Sequence, residues 1–435
     1  MSEFDPVEVI GRTGLAQYGG YLNEEFLKDL QSGRSVRVFR EMRDNDPTTG
    51  AVLFAILNTV SQVDWWVEAS GTDPEDIQAK DFLESCIADL DTPWSMMVKD
   101  ILFSVIPFGF NIREIVYKRR LGQDIEDLRH RSRFADGLIG WRKMPLRSCD
   151  SIQLNGGRWD FDLETQIMKG VYQIPAPDFK MRYIPKEKFL LFRATTEKDN
   201  PEGRSCLRSA YRPWYFLKKI EVFEAIGVER DLAGYPMLQL PPEWLMPSAS
   251  PEIKSMVEEY KKMIINVRRD EQEGLILPMM RDANGNEMVK FQLLSAGGTR
   301  QFNTNDIIQR KKQEIATSFL ADFILLGHEK TGSFALADSK TALFAVAIGA
   351  FLDEIRDVFN MDAIPKLFNF NKGNLRVREL PKLCHGDVET QDLVQLGDYL
   401  TKLTGAGASF FPDAKLENWF RKQAGIPEKQ LEKTI

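Results

Sequence analysis

Residues 207–232 read LRSAYRPWYFLKKIEVFEAIGVERDL, and this stretch constrains the fold more than any other. Its length and its spacing of apolar residues predict a long helix. Large apolar side chains are distributed around that helix: Leu207, Tyr211, Trp214, Phe216, Ile220 and Phe223. A helix that is apolar on several faces must be buried on several sides. Pro213 either kinks the helix or marks where its regular part starts.

A small module with strand and helix signals follows the long helix. The proline-rich segment 234–247 (GYPMLQLPPEWLMP) is predicted to be extended, and Pro251 then begins a helix that continues to about Arg269. Residues 273–295 have the pattern of a β-hairpin, with a strong turn signal at Asn284–Gly285. This module therefore interrupts an otherwise helical part of the chain.

A second long helix is predicted from the capping residues 303–305 to about Leu326. Its apolar stripe consists of Ile308, Ile315, Phe319, Phe323 and Leu326, and the cation Lys312 lies on the same stripe. Such a narrow, partly charged stripe indicates packing against neighbours near water.

The stretch 327–341 (GHEKTGSFALADSKT) contains two glycines after this second helix. A phosphate-binding loop of the form G-x-x-x-x-G-K-[ST] needs a lysine where this sequence has Ser333, and it should follow a strand. We therefore interpret the stretch as a flexible joint between two helices. Asp338 or Ser339 is predicted to cap the next helix, whose expected apolar stripe is Leu343, Ala347, Phe351, Ile355 and Val358.

The first two hundred residues combine helix and strand signals, which predicts an α+β region. Asp46 followed by Pro47 marks a helix start. Residues 65–68 alternate as a short strand does, and a further helix is expected from Trp94 to Val105. We expect five tryptophans to anchor the core, with an aromatic ligand cage as the alternative: Trp65, Trp66, Trp94, Trp141 and Trp159.

The composition is that of an ordinary globular protein. Of 435 residues, 43% are hydrophobic and 28% are charged, and 57 Lys plus Arg stand against 64 Asp plus Glu, for a net charge of −7. A protein with this charge is not an electrostatic DNA clamp, so any contact with nucleic acid must be local or weak. Neither a signal peptide nor an apolar run of about 18 residues is evident, so we expect no membrane partner.

The residue types that carry catalysis or bind metals form no convincing constellation. Four cysteines are scattered and are interpreted as buried thiols in a reducing compartment, and three histidines lie far apart. Cys384–His385 alone is a poor metal site, and the sequence around Ser205 lacks the nucleophile-elbow pattern. We therefore expect no enzyme activity and no cofactor.

The order of elements and three segments together resemble the portal proteins of tailed bacteriophages, particularly the Mu-like branch. The segments are 44–66 (DNDPTTGAVLFAILNTVSQVDWW), 201–236 (PEGRSCLRSAYRPWYFLKKIEVFEAIGVERDLAGYP) and 307–327 (IIQRKKQEIATSFLADFILLG), and the likeness covers most of residues 31–380. The resemblance implies a ring, dodecameric in the family, at one capsid vertex of the virion. Double-stranded DNA would be packaged and ejected through that ring, which would assemble in the host cytoplasm.

The resemblance also implies a division of the α+β chain into the parts of a portal fold. The expected parts are an N-terminal arm (1–30), an α/β wing (31–200), a first stem helix (201–234), a small α/β clip (235–302), a second stem helix (303–327), a tunnel loop (328–337), a helix returning to the wing (338–385) and a short helical crown segment (386–435). With only about fifty residues after 385, a large helical crown barrel is not expected.

Site residues and partners follow from that mapping and from nothing else. The tunnel loop would present His328, Glu329, Lys330, Thr331 and Ser333 to DNA between the hinges Gly327 and Gly332, with Arg310, Lys311 and Lys312 on the stem and Lys261, Lys262, Arg268 and Arg269 as clip residues that bind partners. Lys330 is the residue expected to meet phosphate. The implied partners are further copies of the chain, double-stranded DNA, the terminase large subunit, a head-to-tail adaptor or connector, and the major capsid and scaffold proteins.

Two other interpretations fit the same residues. Segment 327–333 also reads as a solvated surface turn, and the clip cations as ordinary surface charges. The alternative to a portal is a virion adaptor or scaffold protein with no DNA channel. The size of the assembled particle distinguishes a ring-forming portal from this adaptor.

Overall fold

The computed structural model describes residues 11–31, 33–162, 164–233, 235–268, 289–294, 304–321 and 334–388, with isolated positions 398, 401, 402, 404, 417, 418 and 421. The chain divides into two compact units. Unit 1 consists of Met1–Leu207 and Phe319–Ile435, and unit 2 of Arg208–Ser318.

Helices and antiparallel strands alternate along the described residues. The helices are α1 (Arg34–Asn45), α2 (Pro47–Val60), α3 (Pro74–Ala88), α4 (Trp94–Phe108), α5 (Leu207–Ala233), α6 (Pro251–Arg268), α7 (Thr304–Thr317), α8 (Phe334–Val358) and α9 (Ile364–Phe370). The strands are β1 (Gln17–Tyr18), β2 (Tyr21–Leu22), β3 (Trp65–Glu68), β4 (Phe110–Glu114), β5 (Val116–Arg119), β6 (Ile139–Lys143), β7 (Leu146–Arg147), β8 (Arg158–Phe161), β9 (Met168–Gln173), β10 (Arg182–Pro185), β11 (Phe189–Arg193), β12 (Tyr235–Gln239), β13 (Lys290–Leu294) and β14 (Lys382–His385).

Small sheets rather than one large sheet organise unit 1. Two have three strands, in the orders β10-β9-β8 and β11-β4-β7, and three have two: β1-β2, β5-β6 and β14-β3. Buried apolar residues from both three-stranded sheets share one core cluster, in which Phe110, Trp159 and Phe189 are the largest members. Unit 2 contains the β12-β13 pair, in which Tyr235 lies opposite Leu294.

A second aromatic cluster surrounds the fully buried Phe359. Its ring contacts Trp94 at 4.8 Å, Phe192 at 5.9 Å and Trp141 at 6.0 Å between centroids. This cluster joins residues from α4, β11 and β6 to the wide helical turn that follows α8. The predicted core role therefore holds for Trp141 and Trp159, and Trp94 contributes a half-buried ring.

Trp66 does not belong to the core, because 42% of it is exposed. The alternation predicted for residues 65–68 is confirmed, and it directs Val67 inward while Trp66 and Glu68 face outward. The Trp66 indole donates a hydrogen bond to the Glu68 carboxylate at 3.0 Å. Likewise, only Cys86 and Cys149 are buried thiols, since Cys206 and Cys384 are half-buried.

Helix starts are predicted better than helix ends. The Asp46 side chain accepts a hydrogen bond from the Thr49 backbone N–H at 2.7 Å, which confirms the cap of α2. α5 continues through Pro213, so this proline does not mark its start. α4 runs three residues beyond the predicted Val105, to Phe108. Gly109 follows as its C-cap, with a φ of +92° that favours glycine.

The two helices around the glycine joint differ from prediction. α7 ends at Thr317, because Leu320 adopts a left-handed φ of +57° that stops the helix. Residues 322–326 of the predicted helix, with Phe323 and Leu326 of its expected stripe, lie outside the described residues. α8 begins at Phe334, so Asp338 and Ser339 lie inside it. The strong helix formers Ala335 and Leu336 outweigh the local capping signal.

The buried stripe of α8 is also shifted by one residue along the first part of the helix. Phe344, Ile348, Leu352 and Ile355 are buried, whereas Leu343 is 58% exposed. Both stripes satisfy the helical period, so the sequence pattern alone does not choose between them. The strands packed against α8, β11 and β14, decide which stripe is buried.

A buried ion pair ties the long loop between β5 and β6 to the end of α3. The Lys118 ammonium lies 2.9 Å from the Asp89 carboxylate, and less than 5% of either side chain is exposed. Asp89 also accepts hydrogen bonds from the Ser132 hydroxyl and from the Arg133 backbone N–H at 2.9 Å. Burial raises the pKa of Asp89, but these hydrogen bonds and the charge of Lys118 outweigh burial and lower it below 3.8.

We predict that Asp89→Asn destabilises the protein by about 3–5 kcal/mol, because it leaves the Lys118 charge buried without its partner. Urea unfolding at neutral pH measures the loss. Since the folded-state pKa of Asp89 is depressed, its contribution is present above pH 3.8 and is lost as the pH falls below that value.

Asp127→Asn is the matched control, since Asp127 forms an exposed pair with Arg129. Its unfolding midpoint should equal that of the wild type. Equal stability of Asp89→Asn and the wild type would show that the buried pair does not hold this loop.

Candidate functional site

The beginning of α5 is hydrogen-bonded to the end of α4 within unit 1. The Ser205 hydroxyl donates to the Pro107 carbonyl at 2.6 Å and accepts from the Leu207 backbone N–H at 3.0 Å. The Cys206 backbone N–H donates to the Ile106 carbonyl at 3.0 Å. One side chain therefore both caps α5 and holds its first residue against the preceding helix.

Two glycines make this junction close. A Cβ on Gly109 would lie 2.6 Å from the Glu202 carbonyl oxygen, and a Cβ on Gly203 would lie 2.5 Å from the Gly109 carbonyl oxygen. The Glu202 carboxyl accepts a hydrogen bond from the Trp159 indole at 3.0 Å, and burial raises the pKa of Glu202. The sequence pattern does not identify Ser205 or Glu202 as residues of the junction between α4 and α5. The position of Ser205, two residues before α5 begins, is a signal from which its capping role could have been predicted.

The body of α5 exposes large apolar side chains in unit 2. Exposed fractions are 44% for Phe216, 52% for Val222, 68% for Phe223, 38% for Ile226 and 40% for Val228. We call these five residues the α5 apolar surface. The helix is therefore apolar on more than one face, as its sequence predicts.

Positive charge on α5 is held against aromatic rings. The Lys218 ammonium lies 5.4 Å from the centre of the Trp214 ring, and the Lys219 ammonium lies 4.6 Å from that of Tyr215. Such contacts fix where an ammonium group sits without neutralising it.

The stem cations named from the sequence lie together on α7. Glu314 forms an ion pair with Lys311 at 2.7 Å and is 4.0 Å from Arg310, so one carboxylate serves two cations. Lys312 is half-buried and has no ion pair within the residues that the structure describes. At the other end of α7, the Thr304 hydroxyl hydrogen-bonds Glu224 of α5.

The clip cations lie on or after α6. Lys261 is paired with Glu258 at 2.6 Å, Lys262 is exposed, and Arg268 is the last residue of the helix. Arg269 and the Asn284–Gly285 turn lie outside the described residues, but β13, the second strand of the expected hairpin, pairs with β12.

The structure does not describe the site residues predicted for the tunnel loop, and residues 334–337 of the predicted loop are helical because they belong to α8. Positions 327–333 include His328, Glu329, Lys330, Thr331 and Ser333 with both hinge glycines, and all lie outside the described residues. Their roles stay predictions. Of the crown segment, the isolated described positions 398, 401, 402, 404, 417, 418 and 421 are helical.

The Cys384–His385 pair packs as part of unit 1. The His385 ring lies 5.1 Å from that of Trp65, and its Nε2 is 3.3 Å from an Asp353 carboxylate oxygen. Among the described residues, no group of three or more His, Cys, Asp or Glu side chains is arranged to hold a metal ion. Within the same ranges, no helix has the length and hydropathy needed to cross a bilayer.

Comparison with known families decides what this chain is. The family model described as "Portal protein of Mu bacteriophage" matches residues 36–426. This chain belongs to the Mu portal protein family. The resemblance stated from the sequence is thereby confirmed, and so is the expectation of a structural rather than an enzymatic protein. The portal protein is a component of the bacteriophage virion.

One solved structure supports the mixed α+β fold of this portal protein, and two others are similar to it at lower TM-scores. A chain from the neck of an empty gene transfer agent particle is 11% identical with a TM-score of 0.52, over 93% of this chain and 95% of that one. A chain from the neck of the native particle is 12% identical with a TM-score of 0.49, over 91% and 94%. An HK97-family phage portal protein from Corynebacterium diphtheriae is 11% identical with a TM-score of 0.38, over 84% and 96%.

We predict that Ser205→Ala lowers the free energy of unfolding of the portal protein by about 1–2 kcal/mol, because α5 loses its cap and its bond to Pro107. Thermal unfolding measures the loss. Ser61→Ala removes an exposed hydroxyl from the end of α2 and is the control, for which we expect a change below about 0.5 kcal/mol. Similar stability of the two variants would contradict the anchoring role of Ser205.

Proposed function

We propose that this portal protein assembles into a closed ring, dodecameric as in its family, through which double-stranded DNA enters and leaves the capsid. The observation that carries the ring is the α5 apolar surface. Five large apolar side chains on one helix are unfavourable in contact with water, and burial against neighbouring copies removes that exposure. In a ring, each copy offers one surface to the next copy and a second surface to the previous one.

The portal parts inferred from the resemblance are proposed for this chain with modified helix bounds. Residues 31–200 would form the wing, α5 the first stem helix, 235–302 the clip and α7 the second stem helix. The tunnel loop (328–337), the helix that returns to the wing (338–385) and the short crown segment (386–435) would follow. The division of the chain into two units at Leu207 and Ser318 supports this scheme, because both helices proposed for the stem belong with the clip in unit 2.

Weak attraction to DNA suits a channel. Each phosphate that a protein neutralises strengthens binding through counterion release, and a strongly basic wall would hold the duplex in place. Glu314 offsets part of the charge of Arg310 and Lys311, and the chain carries a net charge of −7. We propose that these stem cations and Lys330 guide DNA without gripping it.

The clip is proposed to bind the terminase large subunit during packaging and the head-to-tail adaptor afterwards. Lys262, Arg268 and Arg269 are the residues proposed for this contact, together with Lys261, whose charge is already paired with Glu258. Contacts with the major capsid and scaffold proteins are proposed for the assembled vertex. A virion adaptor with no DNA channel is the second candidate, and it would not form closed rings.

Phe223→Ser is expected to reduce ring formation at least tenfold at a fixed subunit concentration, because it removes the most exposed side chain of the α5 apolar surface. Mass photometry and electron-microscope class averages measure the fraction of rings. Ile167→Ser, which replaces a side chain that is 67% exposed in unit 1, is the matched control. A wild-type protein that stays monomeric at high concentration would support the adaptor.

Lys330→Ala is expected to change the rate of DNA packaging or the length of DNA packaged, because the ammonium proposed to meet phosphate is lost. An in vitro packaging assay with purified proheads measures both quantities. Lys180→Ala, which replaces an exposed lysine of unit 1 outside the clip, is the control. A wild-type rate and length for Lys330→Ala would remove this residue from the mechanism.

A further inference from the structure

The loop between β5 and β6 presents arginines that the protein itself does not neutralise. Arg119, Arg131 and Arg133 are exposed, and within the described residues none of the three has an ion pair. Many other arginines of unit 1 do have one, including Arg120 with Asp136 and Arg129 with Asp127 on the same loop.

This loop is fixed in place by buried contacts. Asp89 binds the Ser132 hydroxyl and the Arg133 backbone N–H, so both arginines that flank Ser132 are positioned by the buried Asp89–Lys118 pair. The Arg119 backbone N–H donates to Nδ1 of His130 at 3.0 Å, which holds the third arginine beside the same segment. A loop whose backbone is fixed before binding loses less conformational entropy when a ligand arrives.

Arg131 and Arg133 line a surface cleft of about 310 Å³. The two carboxylates in its lining are already satisfied, Asp89 by Lys118 and Asp91 by Arg142 at 3.3 Å. Two guanidinium groups are thus left to face an incoming anion. Guanidinium groups bind phosphate oxygens through paired, charge-assisted hydrogen bonds.

We propose that this cleft binds a backbone phosphate of double-stranded DNA through Arg131 and Arg133. The inference rests on the proposed function, which brings duplex DNA to this protein, but the contact is separate from the tunnel loop and the stem. Asp124 and Glu126 on the same loop are exposed and keep the attraction weak. The contact recognises the DNA backbone and carries no sequence preference.

The test is binding of a fluorescent 30-base-pair duplex to the full-length protein, measured by anisotropy over a range of salt concentrations. For the double variant Arg131→Ala/Arg133→Ala, the slope of log affinity against log salt should become shallower by about 0.9, since the one phosphate contact that the two arginines share is lost. Arg131→Lys/Arg133→Lys should keep most of the wild-type slope, because it preserves both charges.

The double variant Arg182→Ala/Arg378→Ala is the matched control. It removes the same net charge from exposed arginines that are ion-paired with Asp178 and Asp73. We expect its slope to equal that of the wild type. An unchanged slope for Arg131→Ala/Arg133→Ala, or an equal loss in the control, would overturn the proposal.

Two further measurements distinguish a DNA-binding cleft from a cleft for acidic proteins and from an effect of ring assembly. If polyglutamate displaces the duplex from the wild type at an equal concentration of negative charge, the cleft suits an acidic protein surface and the proposal fails. Mass photometry of the same samples reports the ring independently. A shallower slope without rings would keep the cleft and reject the ring, whereas rings with an unchanged slope would reject the cleft alone.

Discussion

The contact on which the long-helix architecture depends is the one between the Ser205 hydroxyl and the Pro107 carbonyl. It joins the end of α4 to the beginning of α5 where two glycines let the backbones approach closely. A longer side chain at Gly109 or Gly203 would separate the two segments. These hydrogen bonds lie within unit 1, so the first residue of α5 is fixed there before the chain continues into unit 2.

Charge is distributed in this protein by local compensation. The buried Lys118 has a carboxylate of its own, and Arg310 and Lys311 of α7 share Glu314. Arg131 and Arg133 have no such partner among the described residues, because the nearby Asp89 carboxylate pairs with Lys118 and positions the loop. In the proposed channel, Glu314 therefore offsets part of the positive charge, whereas no described carboxylate pairs with the two arginines of the proposed cleft.

The sequence predicts features that depend on neighbours along the chain and fails where distant elements decide. The cap at Asp46 and the alternation of residues 65–68 are predicted correctly because each follows from adjacent residues. The pattern assigns the buried stripe of α8 to Leu343 instead of Phe344, since only packing against β11 and β14 distinguishes the two.

The sequence patterns also missed two helices and left one property of the candidate site undetermined. The helices α1 and α3 are absent from the predicted elements, although Pro74 at the first position of α3 is a clear start signal. For the candidate site, the sequence locates the stem and clip cations. It cannot reveal which of them are neutralised, because that depends on side-chain geometry.

The α5 apolar surface also has a consequence for the newly made chain. In the proposed ring, neighbouring copies cover Phe223 and Val222, and until then these side chains are available to any other apolar surface that the chain meets. Ring closure then competes in time with unspecific association, and the outcome depends on how many subunits are present when each one finishes folding. A portal subunit made too early or in too large an amount would be lost to aggregation, so the timing of synthesis becomes part of the assembly mechanism.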